Sequence, residues 1–131
     1  VSNPELSDYL NRVRQPFNAN SLALDLGKVA LSDQEHISKS VQINSSGMER
    51  VKKAFANLDY NFIESWGNFI SFDAKQDSDV AFQYFLEKGV ILRSLKVYEM
   101  PHHLRVSIGT EEEMDFFLQV LEDYEKDLSK K

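Results

Sequence analysis

Between Ile37 and Leu58 the apolar residues recur at helical spacing. Ile37, Val41, Met48, Val51, Phe55 and Leu58 stand three or four positions apart, or a multiple of that, and predict one long helix with a single buried stripe. Ser32 and Glu35 ahead of it hold capping-box spacing, and Ser45, Ser46 and Gly47 mark a place for a bend. Upstream, "NPELSDYLNRVR" offers Asn3 as an N-cap, Pro4 at the first helical position and Leu6 and Leu10 four apart. Pro16, Asn18, Asn20 and Ser21 break that helix, and "SLALDLGKVAL" forms the next one, weakened at Gly27 by about 1 kcal/mol relative to Ala.

After Asp59 the period shortens. "YNFIES" and "GNFISFDA" read as strands joined near Ser65–Gly67, with Phe62, Phe69 and Phe72 as core material. "DSDVAFQYFLEKGV" predicts a helix with Val80, Phe82, Phe85 and Leu86 inward and Gly89 at its C-cap. "VILRSL" and "HLRVSIG" are further strands, separated by a loop containing Pro101. In the second, Leu104, Val106 and Ile108 share one face and Arg105 and Ser107 the other. Thr110 and Glu113 repeat the capping-box spacing, and Met114, Phe117, Leu121, Tyr124 and Leu128 form the stripe of a last helix. This order predicts an α+β fold, a small, largely antiparallel sheet covered on one face by helices.

Composition narrows the chemistry. With 131 residues, 42% of them hydrophobic and 27% charged, the chain can build a real core. Fifteen basic residues against 21 acidic ones leave a net charge of −6, which disfavours nucleic acid as a partner. The absence of cysteine removes disulfides, thiolate metal sites and a cysteine nucleophile. His102 and His103 diverge and His36 lies on a distant helix, so no metal site is expected. Glu111–Glu113 suit a helix N-terminus. No apolar run is long enough to span a membrane, and a cytoplasmic protein is the expectation.

Arg93 closes "GVILR" and Arg105 sits in mid-strand. Neighbouring strands would bring both guanidinium groups together, and these would repel unless a dianion or two anions answered them. The alternative is that each arginine pairs with an acidic side chain or points to water.

"LNRVRQPFNANSLAL", "SDQEHISKSVQIN", "SWGNFISFD", "GVILRSL" and "YEMPHHLRVSIGTEEEMDFFLQVL" together resemble, in this order, the C-terminal third of histidinol-phosphate aminotransferases. These are pyridoxal-phosphate (PLP) enzymes of the fold-type I aminotransferase superfamily. The resemblance covers nearly the whole chain. It implies that residues 1–35 are the helical end of the large PLP-binding domain and 36–131 the small C-terminal domain. It also implies an amino-group shuttle between histidinol phosphate or glutamate and the corresponding oxo compounds, imidazole acetol phosphate and 2-oxoglutarate, in histidine biosynthesis.

Arg105 matches the residue that grips the substrate's anionic group, and Arg93 a second arginine on the phosphate side. Tyr98 is expected to border the same pocket, and Asn68 is a further family position. The family's Schiff-base lysine stands in a motif of the type "SK-x-x-G-L-x-G-x-R-x-G", which this chain does not contain. The resemblance thus implies a fragment that holds no cofactor and no catalytic residue of its own and is inactive alone, while the intact enzyme is a cytoplasmic homodimer using PLP. Related decarboxylases or aromatic aminotransferases of the same branch, and a stand-alone anion-binding α+β module, are the competing expectations.

Overall fold

The computed structural model describes residues 3–14 and 17–130; Pro16, the expected helix breaker, lies outside them. The chain divides into two compact units, 1–37 and 38–131. In the first, α1 (Pro4–Val13) starts with Asn3 Oδ1 accepting from Glu5 N at 2.9 Å, and α2 (Ser21–Ser32) starts with Asn20 Oδ1 accepting from Ala23 N at 2.8 Å. No described residue of α1 or α2 is buried.

Helix α3 spans Gln34–Asn57. Its cap is Asp33, whose carboxylate accepts from His36 N at 3.0 Å, and not the expected Ser32. Ser32 still belongs to α2 and spends its hydroxyl on Lys28 O. The helix continues through Ser45–Gly47, where a bend was expected. Gly47 serves close packing instead: a Cβ there would stand 2.6 Å from Ile108 Cγ2. The buried stripe begins only at Gly47 and Met48 and continues through Val51 and Phe55, whereas Val41 is exposed. A 24-residue helix runs about 36 Å and a five-residue strand about 17 Å, so α3 is about twice as long as the strands that follow it.

Four antiparallel strands follow, β1 (Phe62–Ile63), β2 (Phe69–Asp73), β3 (Arg93–Ser94) and β4 (His103–Ser107), in the order β1-β2-β4-β3. Helix α4 (Ser78–Glu87) connects β2 to β3, and α5 (Glu111–Leu128) closes the chain. One sheet face, with Ile70, Phe72, Leu104 and Val106, joins Phe55, Phe85, Phe117 and Leu121 of the helices in the core. The fold is thus the expected α+β layer.

Two caps read from the sequence are present. Thr110 and Glu113 form a reciprocal capping box at the start of α5. Gly89, at φ +87°, follows the C-cap of α4 in the left-handed region that glycine enters without strain. The inward face of α4 differs from expectation. Ser78, Ala81 and Phe85 are buried and Phe82 packs against the core, but Val80 and Leu86 are exposed. The helix lies close to β3 and β4, and small residues allow that approach.

Candidate functional site

Strand parity separates the two sheet faces. Leu104 and Val106 enter the core; Arg105 points the other way, together with its cross-strand partners Ser71 on β2 and Arg93 on β3. The two arginines are therefore opposite one another in register, as neighbouring strands would require. Arg93 is exposed and Arg105 half-buried. Among the described residues no carboxylate oxygen lies within 4.0 Å of either guanidinium. By contrast, Arg12 pairs with Asp8 and Arg50 with Asp115.

Aromatic rings stand where carboxylates would. The Arg105 guanidinium carbon lies 4.7 Å from the centroid of Phe69, and its Nε is buried with no hydrogen-bond partner. Arg93 Nη2 donates to Tyr98 Oη at 3.3 Å, with its guanidinium carbon 5.9 Å from that ring. Tyr98 is thus joined to Arg93 of the pair. Phe69, expected in the core, is 38% exposed and belongs to the arginine face. The signal for this was in the sequence: Phe69 and Ser71 share one parity of β2, and the buried Ile70 and Phe72 the other. His103, two residues before Arg105 and opposite Asp73 in register, has a buried Nδ1 without a partner.

The segment carrying Arg93 and Tyr98 is tied to the N-terminus of α4. Ser78 N donates to Pro101 O at 2.8 Å, and the Ser78 and Ser94 hydroxyls are 2.9 Å apart. Ser94 Oγ also donates to Asp79 Oδ1 at 3.1 Å. Lys96, in the 3-10 turn Lys96–Tyr98, reaches Asp79 Oδ2 at 2.8 Å and Asp77 Oδ2 at 3.2 Å. Its hydrogen bonds to Asp79 and Asp77 hold its ammonium pKa above the usual lysine range, and the bond from Lys96 holds the Asp77 carboxyl below its own. Sequence reasoning missed this clamp, because its members come from separate elements. Asn68 contributes through its backbone, its carbonyl accepting from Ile108 N at 2.8 Å.

Two guanidinium groups on one sheet face, on residues paired across neighbouring strands, offer a multivalent anion two planar forks of donors. The Tyr98 hydroxyl accepts from Arg93 and keeps its own proton to donate.

The family described as aminotransferase class I and II matches residues 1–121. Among curated relatives, histidinol-phosphate aminotransferase 2 of Pseudomonas fluorescens (strain Pf0-1) is 47% identical over 121 residues, covering 92% of this chain and 33% of the relative. Histidinol-phosphate aminotransferase 1 of Nitrosococcus oceani is 45% identical over 122 residues, covering 93% of this chain and again 33% of the relative. The chain spans about a third of the length of the curated relatives it matches. The solved histidinol-phosphate aminotransferase of Sinorhizobium meliloti in complex with pyridoxal-5'-phosphate superposes with TM-score 0.74 at 20% identity, over 98% of this chain and 36% of that one. That of Clostridium acetobutylicum gives 0.73 at 17% identity, over 95% and 39%. At these identities the two solved structures speak for the fold.

Proposed function

Because the chain belongs to the class I and II aminotransferase family, we propose that it forms the substrate-anion-gripping part of a PLP-dependent histidinol-phosphate aminotransferase. Residues 1–35 are the helical end of the large domain and 36–131 the small C-terminal domain. The exposed Leu6, Leu10, Leu22, Leu26 and Val29 of α1 and α2 support the first assignment, as apolar surface suited to burial against the rest of a larger domain. Arg105 and Arg93, with Tyr98, take the anionic end of the substrate: the phosphate of histidinol phosphate in one half-reaction, a carboxylate of glutamate or 2-oxoglutarate in the other. The observation that carries this reading is the cross-strand register of Arg93 and Arg105 with no carboxylate against either among the described residues.

The sequence holds no Schiff-base lysine motif of the family's type, and Lys96, on the turn that carries Tyr98, is engaged by Asp77 and Asp79, so in this reading PLP is not a resident group of this chain. In this reading the cofactor and its lysine belong to the remaining two-thirds of a protein as long as the relatives, which would be a cytoplasmic homodimer. The 131-residue chain alone is then inactive.

The test is kinetic. In the full-length enzyme, Arg105→Ala raises the KM for histidinol phosphate roughly tenfold or more, the equivalent of a lost charge-assisted contact of about 1.5–3 kcal/mol. An unchanged KM removes Arg105 from the site.

A further inference from the structure

Resting on that reading of the arginine pair, we infer that Phe69 is the positioning residue for Arg105, holding its guanidinium plane from below without neutralising it. An arginine half-buried in a sheet face has two ways to be fixed. A carboxylate fixes it through hydrogen bonds but consumes its charge and its donors. An aromatic face fixes it through the ring quadrupole and leaves the net charge intact.

The structure shows the second arrangement. Phe69 pairs with Ser107, and Arg105 pairs with Ser71, so Phe69 and Arg105 are diagonal neighbours on one face of β2 and β4, within reach of an aromatic and a long side chain. The guanidinium carbon lies 4.7 Å from the ring centroid, inside the cation–π range. The Nε is covered and has no acceptor, so the terminal Nη groups carry the hydrogen-bonding capacity Arg105 offers outward. The charge-neutral ring explains how Arg105 can be held on the same sheet face as Arg93 with no carboxylate against it among the described residues. Phe69 is 38% exposed, which a residue kept only for the core would not be.

Nuclear magnetic resonance of the chain, with inorganic phosphate as the probe, tests this. In the wild type the Arg105 Nε–H proton is shifted upfield by the ring current, before any anion is added. Phe69→Leu returns it to the ordinary arginine position and weakens phosphate binding roughly five- to tenfold, while the amide spectrum stays folded. Phe69→Tyr, which keeps the aromatic face, retains both. A wild-type Nε–H at the ordinary position overturns the inference without any variant. So does a Phe69→Leu chain that folds and binds phosphate as the wild type does; the arginine site itself then stands. Phosphate that leaves the Arg93 and Arg105 resonances of the wild type unmoved overturns the site reading, and this inference with it.

Discussion

Arg93 and Arg105 are Cα partners across the β3–β4 pair, like charges opposite one another at the edge of the sheet. Like charges in that position destabilise a sheet. In the proposed reading, their placement beside aromatic rings, with no carboxylate against either among the described residues, gives up stability for anion binding.

Removing one charge should therefore stabilise the empty chain. Arg93→Gln is expected to raise its unfolding free energy by roughly 0.2–1 kcal/mol in low-salt buffer without phosphate. Phosphate should reverse the order, stabilising the wild type by about 2.7 kcal/mol at a hundred times its Kd and the variant far less. Urea unfolding with and without phosphate measures both. A variant less stable than the wild type in the absence of anion would refute the repulsion argument.

Gly47 offers a test of packing against propensity. Replacing a mid-helix glycine by alanine ordinarily gains about 1 kcal/mol. Here the added Cβ would lie 2.6 Å from Ile108 Cγ2, a branch methyl next to its own backbone. Overpacking of this kind costs roughly 1–3 kcal/mol, so Gly47→Ala should be destabilising on balance. Combining it with Ile108→Ala should recover the helical gain, and a double-mutant cycle in urea reads the coupling.

Stability should fall in alkali as the unfolded-state tyrosines ionise. Burial pushes the Tyr124 phenol up to about 12, and burial with the Glu125 contact raises Tyr60 further. Tyr124 donates to Ala74 O at 2.8 Å and accepts from Gln76 Nε2 at 2.6 Å; Tyr60 donates to Glu125 at 2.6 Å. Unfolded tyrosines ionise near pH 10, so above that pH the folded state binds more protons than the unfolded one and stability declines. The contribution of Tyr124 is whole below pH 10 and is lost as pH rises to about 12. Tyr124→Phe should flatten the decline between pH 10 and 12, as followed by urea midpoints. An unchanged slope would show that this phenol does not control it.

The capping box at Thr110 should be worth measuring on its own. The Thr110 hydroxyl accepts from Glu113 N at 3.3 Å, and Glu113 returns a bond to Thr110 N at 2.8 Å. Thr110→Ala is expected to cost about 1 kcal/mol. Because α5 supplies Met114, Phe117 and Leu121 to the core, the loss should appear as a lower melting temperature of the whole 38–131 unit and not as local fraying. Calorimetry distinguishes the two.

What the sequence determined by itself was local. The 3.6- and two-residue periods identified the elements from α1 to α5, and Pro4, Gly89 and the Thr110–Glu113 pair located ends correctly because caps act within a few residues. Parity within β4 already separated Arg105 from Leu104 and Val106. Tertiary structure decided what local pattern leaves open. Only strand order and register made Arg93 the partner of Arg105, and only the placement of α4 tied Ser94 and Lys96 to Ser78, Asp77 and Asp79. The same physics explains the misread positions. A period fixes which side chains share a face, but the covered face, and how far along a helix the cover extends, depend on where distant segments pack. That turned Phe69 and Val80 outward, left Val41 exposed and made Gly47 a point of close packing.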